Sequence, residues 1–141
     1  MADRGVVEGE TADGAAVRVV VVDDQPPFLA AAKSVVGLTP GFVVVDQASS
    51  GEEALARVSA VAPQLVLMDI NMEGMNGIEA TRRITAEHPG VRVILVSTYD
   101  EEDLPADART CGAIAYVHKE LFDPDVLQSA WARATGTPLG S

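Results

Sequence analysis

The chain has 141 residues and carries 21 acidic against 10 basic side chains, which gives a net charge of −11. This length suits one domain that buries roughly two thirds of its unfolded surface, and it leaves no room for a second globular unit. The negative charge argues against nucleic-acid binding through this segment, because such binding depends on Lys and Arg neutralising phosphates. With Cys111 as the single cysteine, an intrachain disulfide and a thiolate metal cluster are excluded.

The apolar composition favours an α/β protein. Val and Ala dominate the 48% of hydrophobic residues, while aromatic residues make up only 4%, as expected for buried parallel strands covered by Ala-rich helices. No apolar stretch approaches the ~18 residues of a membrane-spanning helix. The N-terminus also lacks the basic start and apolar segment of a signal peptide. We therefore expect a cytoplasmic protein with no membrane partner.

The predicted elements alternate between strands and helices after a leader. Residues 1–16 are rich in Gly, Ala and acids and show no period, which predicts a flexible leader. The predicted order is strand 17–22, helix 26–36, strand 42–45, helix 51–60, strand 65–69, helix 77 to about 88, strand 91–96, a weaker helix 103–111, strand 114–117 and helix 124–134. The domain is thus expected to span residues 17–134, and residues 135–141 form a tail or the start of a linker.

Local signals set several helix boundaries. Pro26 opens the first helix. Ser50 and Glu53 have the spacing of a capping box, in which each side chain satisfies the other residue's amide. Asn76 can cap the third helix. Pro105 lies inside the predicted fourth helix, where it removes an amide donor, and this helix is therefore expected to be short and poorly tied down.

Strict alternation with short connections predicts a parallel sheet with right-handed crossovers and helices on both faces. Of the two common doubly wound arrangements, the flavodoxin-like strand order 2-1-3-4-5 fits five strands of this length. That order places the first and third strands side by side. In such sheets the ligand crevice forms outside the carboxyl ends of the strands.

Polar side chains follow four of the predicted strands at this edge. Asp23 and Asp24 follow the first strand, Asp69 ends the third, Ser97 follows the fourth and Lys119 follows the fifth. Three packed carboxylates repel each other unless a cation joins them, and an open acidic cluster suits Mg2+. One carboxylate can then attack a phosphoryl group while the hydroxyl and the ammonium contact the phosphoryl oxygens.

Four segments resemble the receiver domain of two-component response regulators. They are Val-Val-Val-Asp23-Asp24, Leu-Val-Leu-Met-Asp69-Ile-Asn-Met-Glu-Gly-Met-Asn-Gly77-Ile-Glu, Leu95-Val-Ser97-Thr-Tyr and Tyr116-Val-His-Lys119. The resemblance covers about residues 17–134 and is greatest to the NarL-type branch. It implies a phosphorylation-dependent switch with a histidine kinase as partner, and not an enzyme that acts on a separate metabolite.

The resemblance also implies roles for the acidic residues. Asp69 matches the phosphoacceptor. Asp24 matches the acid that binds Mg2+ directly, and Asp23 the acid that binds it through water. The main-chain carbonyl of Asn71, together with Asp69, completes the protein ligands.

Further roles follow from the same resemblance. Ser97 and Lys119 match the residues that contact the phosphoryl group. Tyr116 matches the aromatic residue that reports phosphorylation to the surface made by the fourth helix, fifth strand and fifth helix. Asn71 and Tyr99 stand two residues past Asp69 and Ser97 respectively, where side chains overhang the phosphoryl group. We expect these two side chains to set the lifetime of the phosphorylated state.

Three departures from the family pattern concern the rim of the site and the output face. Glu73 and Glu120 stand where proline is usual, and Pro105 interrupts the fourth helix. None of them replaces a residue with an implied role in phosphorylation. We expect them to change the geometry of the output face more than the chemistry.

Alternatives remain for the whole protein. The NarL-type branch usually carries a C-terminal helix-turn-helix, which implies DNA binding through a further domain and homodimerisation on phosphorylation. A stand-alone receiver that acts by protein contacts is the main alternative. A phosphohydrolase of the haloacid dehalogenase type also forms an aspartyl phosphate, but it needs an Asp-x-Asp after the first strand. In this chain Gln25 follows the adjacent acids.

Overall fold

A computed structural model describes residues 16–135 of the chain. Almost all of the predicted leader and of the C-terminal tail lies outside this range. Among the helices of the described range, none has the length and apolar character needed to cross a membrane.

Within residues 16–135, five strands and four α-helices form one parallel sheet with helices on both faces. The strands are β1 (Val17–Val22), β2 (Phe42–Ala48), β3 (Leu65–Asp69), β4 (Arg92–Ser97) and β5 (Ala115–His118). The helices are α1 (Pro26–Leu38), α2 (Gly51–Val61), α3 (Gly77–Glu87) and α4 (Pro124–Thr135). The strands pair in the order β2-β1-β3-β4-β5, so the predicted fold class and strand order are confirmed.

The predicted caps of α2 and α3 are confirmed, with one change. Ser50 Oγ accepts a hydrogen bond from Glu53 N at 3.0 Å, and Asn76 Oδ1 accepts one from Glu79 N at 2.9 Å. The Glu53 carboxylate, however, accepts its backbone hydrogen bond from Ser49 N at 2.8 Å. The return bond of the capping box is therefore made one residue earlier than the pattern predicts.

The predicted helix at residues 103–111 is wrong. Two 3-10 turns, Glu101–Asp103 and Ala106–Arg109, take its place, and we call residues 101–109 the 3-10 segment. Pro105 lies between the turns with φ −55° and ψ 145°, which is not helical. The proline ring removes the amide donor that a continuous helix needs and disfavours a helical residue before it.

Two apolar layers bury both faces of the sheet. Val20 and Val22 of β1 pack with residues of α2 and α3 on one face. Val19 and Val21 face the other side and pack with residues of α1 and α4. Burying one Val, Leu or Ile side chain contributes about 1.5–3 kcal/mol. This packing on both faces holds the carboxyl ends of the strands in fixed register.

Candidate functional site

The register of the sheet brings the acids together at its carboxyl edge. Val22 of β1 lies opposite Met68 of β3, so Asp23 and Asp69 come next on adjoining strands. Asp24 follows in the loop between β1 and α1. One carboxylate oxygen from each acid lies within 4.8 Å of the others. The structure therefore gathers the three acids that the sequence singled out.

Ser97 and Lys119 come from the two strands beyond β3. Ser97 ends β4 opposite His118, the last residue of β5, and Lys119 follows directly. The Nζ atom of Lys119 is 2.9 Å from Asp23 Oδ2 and 3.3 Å from Asp69 Oδ1. Ser97 is buried, and its Oγ accepts a hydrogen bond from the Tyr99 backbone N–H at 3.2 Å. Lys119 thus bridges two of the three acids.

The charges in this cluster do not balance. Burial and the charge of Asp23 raise the pKa of Asp69 from its usual 3.8 to about 6, Lys119 opposes this rise, and Asp24 adds to it. Burial lowers the pKa of Lys119, but the hydrogen bond to Asp23 and the charge of Asp69 outweigh burial and raise it. One ammonium does not neutralise three carboxylates. The cluster therefore fits a divalent cation.

The carboxylates differ in how free they are to bind an ion. Asp23 is almost fully buried, its Oδ1 accepts a hydrogen bond from Gln25 N at 2.8 Å, and its Oδ2 contacts Lys119. Asp24 is the more exposed of the two neighbouring acids. The carboxylate oxygens of Asp24 and their access to water suit a hydrated Mg2+, which keeps several waters when it binds to proteins.

Asn71 and Tyr99 bridge the loops that follow β3 and β4. The Tyr99 hydroxyl donates a hydrogen bond to Asn71 Oδ1 at 3.4 Å. Asn71 is exposed, whereas Tyr99 is half-buried and packs against the core. The two residues expected to affect the lifetime of the phosphorylated state therefore touch each other.

Tyr116 is tied to the 3-10 segment. Its hydroxyl donates a hydrogen bond to the Ala108 carbonyl at 2.9 Å, and the Arg109 guanidinium lies 5.6 Å from the centre of its ring. A cavity of about 240 Å³ next to this ring is also lined by Ser97 and Tyr99. The cavity gives the Tyr116 ring space next to the Ser97 hydroxyl, which the resemblance links to switching.

Glu120 makes a contact that the usual proline could not make. Its backbone N–H donates a hydrogen bond to His118 Nδ1 at 3.0 Å, and proline has no N–H to donate. The His118 side chain thereby caps the start of the 3-10 turn Lys119–Leu121. This departure therefore stabilises the turn that begins with Lys119.

Sequence reasoning missed two residues beside the site. The ring of Phe28, in the first turn of α1, has its centre 4.6 Å from Lys119 Nζ. Glu52, at the start of α2, accepts a hydrogen bond from Met75 N at 3.3 Å and so holds the loop after β3. Both look like ordinary helix residues in the sequence, and only the packing of α1 and α2 on the sheet reveals their contacts.

Comparison with known proteins identifies the family. The family model of the response regulator receiver domain matches residues 19–132 of this chain. Over 114 residues the chain is 36% identical to the transcriptional regulatory protein DegU of Brevibacillus brevis, covering 81% of this chain and 48% of DegU. It is 37% identical over 113 residues to the response regulator GacA of Pseudomonas viridiflava, covering 80% of this chain and 53% of GacA.

A solved structure gives the same result. The signal receiver domain of NarL from Mycobacterium tuberculosis matches with a TM-score of 0.77 and 30% identity, covering 86% of this chain and 98% of that chain. This chain belongs to the response regulator receiver domain family, whose members are signalling proteins and not classical enzymes. The resemblance seen in the sequence, including its NarL-type character, is confirmed. The chain spans about half the length of the curated relatives it matches.

Proposed function

We propose that the domain accepts a phosphoryl group from a histidine kinase on Asp69, with Mg2+ as cofactor, and thereby changes its output surface. The observation that carries this proposal is the Lys119 ammonium placed between Asp23 and Asp69 in a cluster of three acids. Mg2+, when bound, supplies the positive charge that offsets the acids and the phosphoryl oxygens. The family match supports this assignment of function.

The chemistry assigned to the side chains is an in-line transfer. A carboxylate oxygen of Asp69 attacks phosphorus, an O–P bond forms, and the P–N bond to the kinase histidine breaks with the electron pair left on the imidazole. Lys119 donates a charge-assisted hydrogen bond to a phosphoryl oxygen. The Ser97 hydroxyl supplies a second donor from the end of β4. The domain thus promotes its own phosphorylation and does no chemistry on a separate metabolite.

We assign the metal ligands as Asp24, Asp69 and the main-chain carbonyl of Asn71, with Asp23 acting through water. The engaged oxygens of Asp23 support its indirect role, because one accepts from a backbone amide and the other contacts Lys119. The greater exposure of Asp24 supports a direct bond to a hydrated ion.

Mg2+ affinity is expected to fall more in Asp24→Asn than in Asp23→Asn, with the first loss larger by roughly tenfold or more, because a direct ligand is removed only in the first variant. Calorimetric titration with magnesium chloride measures both affinities. Glu87→Gln, which removes an exposed acid at the end of α3, serves as the control and should bind like the wild type. Equal losses in Asp24→Asn and Asp23→Asn would contradict the ranking.

We propose that Asn71 and Tyr99 set the lifetime of the phosphorylated state together. Their hydrogen bond joins the loops after β3 and β4 and supports a shared lid over Asp69. A lid of this kind limits the access of the hydrolytic water. The bulk of the Tyr99 ring favours slow loss of the phosphoryl group.

The signal is proposed to leave through Tyr116. Phosphorylation draws Ser97 toward the phosphoryl group, and the Tyr116 ring turns into the space that opens. This movement breaks the hydrogen bond from its hydroxyl to Ala108 and releases the 3-10 segment. The surface made by the 3-10 segment, β5 and α4 then changes, as a two-state equilibrium does when new contacts form in one state only.

Hydrogen exchange tests this switch. Beryllofluoride, a mimic of the phosphoryl group, together with Mg2+ is expected to change amide protection across residues 103–116. The 3-10 segment has few buried side chains and little regular hydrogen bonding, so its opening is inexpensive. Residues 55–61 of α2, which lie beyond the contact of Glu52 with the loop after β3, serve as the internal reference. Changed protection near Asp69 with unchanged protection at residues 103–116 would mean that the signal leaves by another face.

The output is proposed by analogy with the relatives. DegU is named a transcriptional regulatory protein, and this chain matches only about half of it. We infer that the chain is the N-terminal part of a cytoplasmic DNA-binding response regulator that dimerises on phosphorylation. A stand-alone receiver that acts through protein contacts is the alternative. The charge of −11 favours DNA contact through another domain and not through this one.

A further inference from the structure

We propose that Phe28 is a positioning residue that holds the Lys119 ammonium at the phosphoryl site through the face of its ring. This inference rests on the proposed function of Asp69 as the phosphoacceptor. It concerns a residue of α1 that is not among the assigned metal ligands or phosphoryl-contacting residues. Its effect on the reaction is exerted through Lys119 alone.

Three contacts surround the Lys119 ammonium. Two are with carboxylate oxygens of Asp23 and Asp69, at 2.9 and 3.3 Å. The third is with the ring of Phe28, whose centre lies 4.6 Å from Nζ. Only 11% of the Lys119 side chain is exposed. The ring therefore covers one side of an ammonium that is largely buried.

Phe28 is itself held in place. The centre of its ring lies 6.4 Å from that of Phe122, with the planes inclined at 47°, and Phe122 is buried against the core. Phe28 is thus fixed between Lys119 and a buried aromatic residue. A fixed ring presents its electron-rich face to a cation in one direction.

The ring contact differs from the carboxylate contacts in one respect. Metal binding and phosphorylation change the charge on the acids that Lys119 contacts, whereas the face of Phe28 is the same before and after transfer. Lysine has a flexible four-carbon stem, so its ammonium needs a restraint that survives the reaction. The ring supplies that restraint and keeps Nζ within reach of the incoming oxygens.

A purely structural role predicts different results from this positioning role. If Phe28 only fills space, leucine at this position should support phosphorylation nearly as well. Any loss of phosphorylation rate should then be the same whether or not Lys119 is present. If the ring face acts on the ammonium, tyrosine should replace phenylalanine and leucine should not. The loss caused by leucine should then also require Lys119.

The test uses the 141-residue chain with Mg2+ and acetyl phosphate as the phosphoryl donor, and it follows phosphorylation by intact mass over a range of donor concentrations. Phe28→Leu is expected to lower the maximal rate roughly three- to tenfold, while Phe28→Tyr stays near the wild type. Phe42→Leu is the matched control, because Phe42 is a half-buried phenylalanine that packs edge-on against Trp131. It should react at the wild-type rate.

The double-mutant cycle with Lys119→Ala decides the mechanism. Phe28→Leu should lower the phosphorylation rate when Lys119 is present. It should cause no further loss of rate in the Lys119→Ala background. Equal rates for Phe28→Leu and the wild type, the same fold loss in both backgrounds, or a Phe28→Tyr variant as slow as Phe28→Leu would each overturn the inference. If the wild type takes up no phosphoryl group, the proposed function fails and this inference fails with it. Uptake by the wild type with an unaffected Phe28→Leu variant overturns the inference alone.

Discussion

Gly77→Ala is expected to lower the free energy of unfolding by at least about 2 kcal/mol, because the new methyl group has no space. A Cβ atom on Gly77 would overlap the Asp69 carbonyl oxygen and lie 2.8 Å from the carbonyl carbon. That carbonyl belongs to the end of β3 and cannot move without disturbing the sheet. Gly77 N also donates a hydrogen bond to the Ile70 carbonyl at 2.9 Å, which fixes the start of α3 against the strand.

Urea unfolding of Gly77→Ala and of a matched variant, Gly37→Ala, measures this effect. Gly37 lies in α1, and a Cβ atom there would meet nothing within 4 Å. Alanine should therefore leave stability unchanged or raise it by up to about 1 kcal/mol through its better helix propensity. If Gly77→Ala is as stable as the wild type, the close approach of α3 to Asp69 is not as described.

Asp69→Asn is expected to raise the free energy of unfolding of the metal-free protein by about 1–3 kcal/mol at pH 7. Burial and the neighbouring Asp23 raise the pKa of the Asp69 carboxyl to about 6 from 3.8, although Lys119 opposes them. A shift of one pKa unit corresponds to about 1.4 kcal/mol. Ionised Asp69 therefore costs stability in the folded state, and asparagine removes that cost.

The pH dependence follows from the direction of this shift. Because the folded protein holds the Asp69 proton more tightly than the unfolded chain, the contribution of Asp69 to stability is greatest below pH 3.8 and falls as the pH rises from there through about 6. The gain from Asp69→Asn should thus be present at pH 7 and vanish near pH 4. Urea unfolding in the presence of EDTA measures it, with the exposed-acid variant Glu87→Gln as control. A less stable Asp69→Asn protein at pH 7 would contradict this account of the cluster.

Much of the fold could be predicted because its signals are local. The Val-rich run from Val17 to Val22 and the caps Ser50 and Asn76 depend only on near neighbours in the chain, and each stands as predicted. The helix at residues 103–111 could not be predicted correctly. The alternation of strands and helices favoured a helix there, but Pro105 removes an amide donor and disfavours a helical residue before it.

The acidic cluster could be predicted because topology alone creates it. Asp23 follows β1 and Asp69 ends the neighbouring parallel strand β3, and any sheet with this order brings them together. The contact of Phe28 with Lys119 could not be predicted in the same way. It depends on how α1 packs on the sheet and on one lysine side-chain conformation, and a single sequence reports neither.

The most direct test of the central claim is the intact mass of the protein after incubation with acetyl phosphate and Mg2+. We expect the wild type to gain the mass of one phosphoryl group, and Asp69→Asn to gain none. Glu87→Gln should be phosphorylated like the wild type, because it leaves the cluster intact. Persistent uptake by Asp69→Asn, or no uptake by the wild type, would contradict the assignment of Asp69 as the phosphoacceptor.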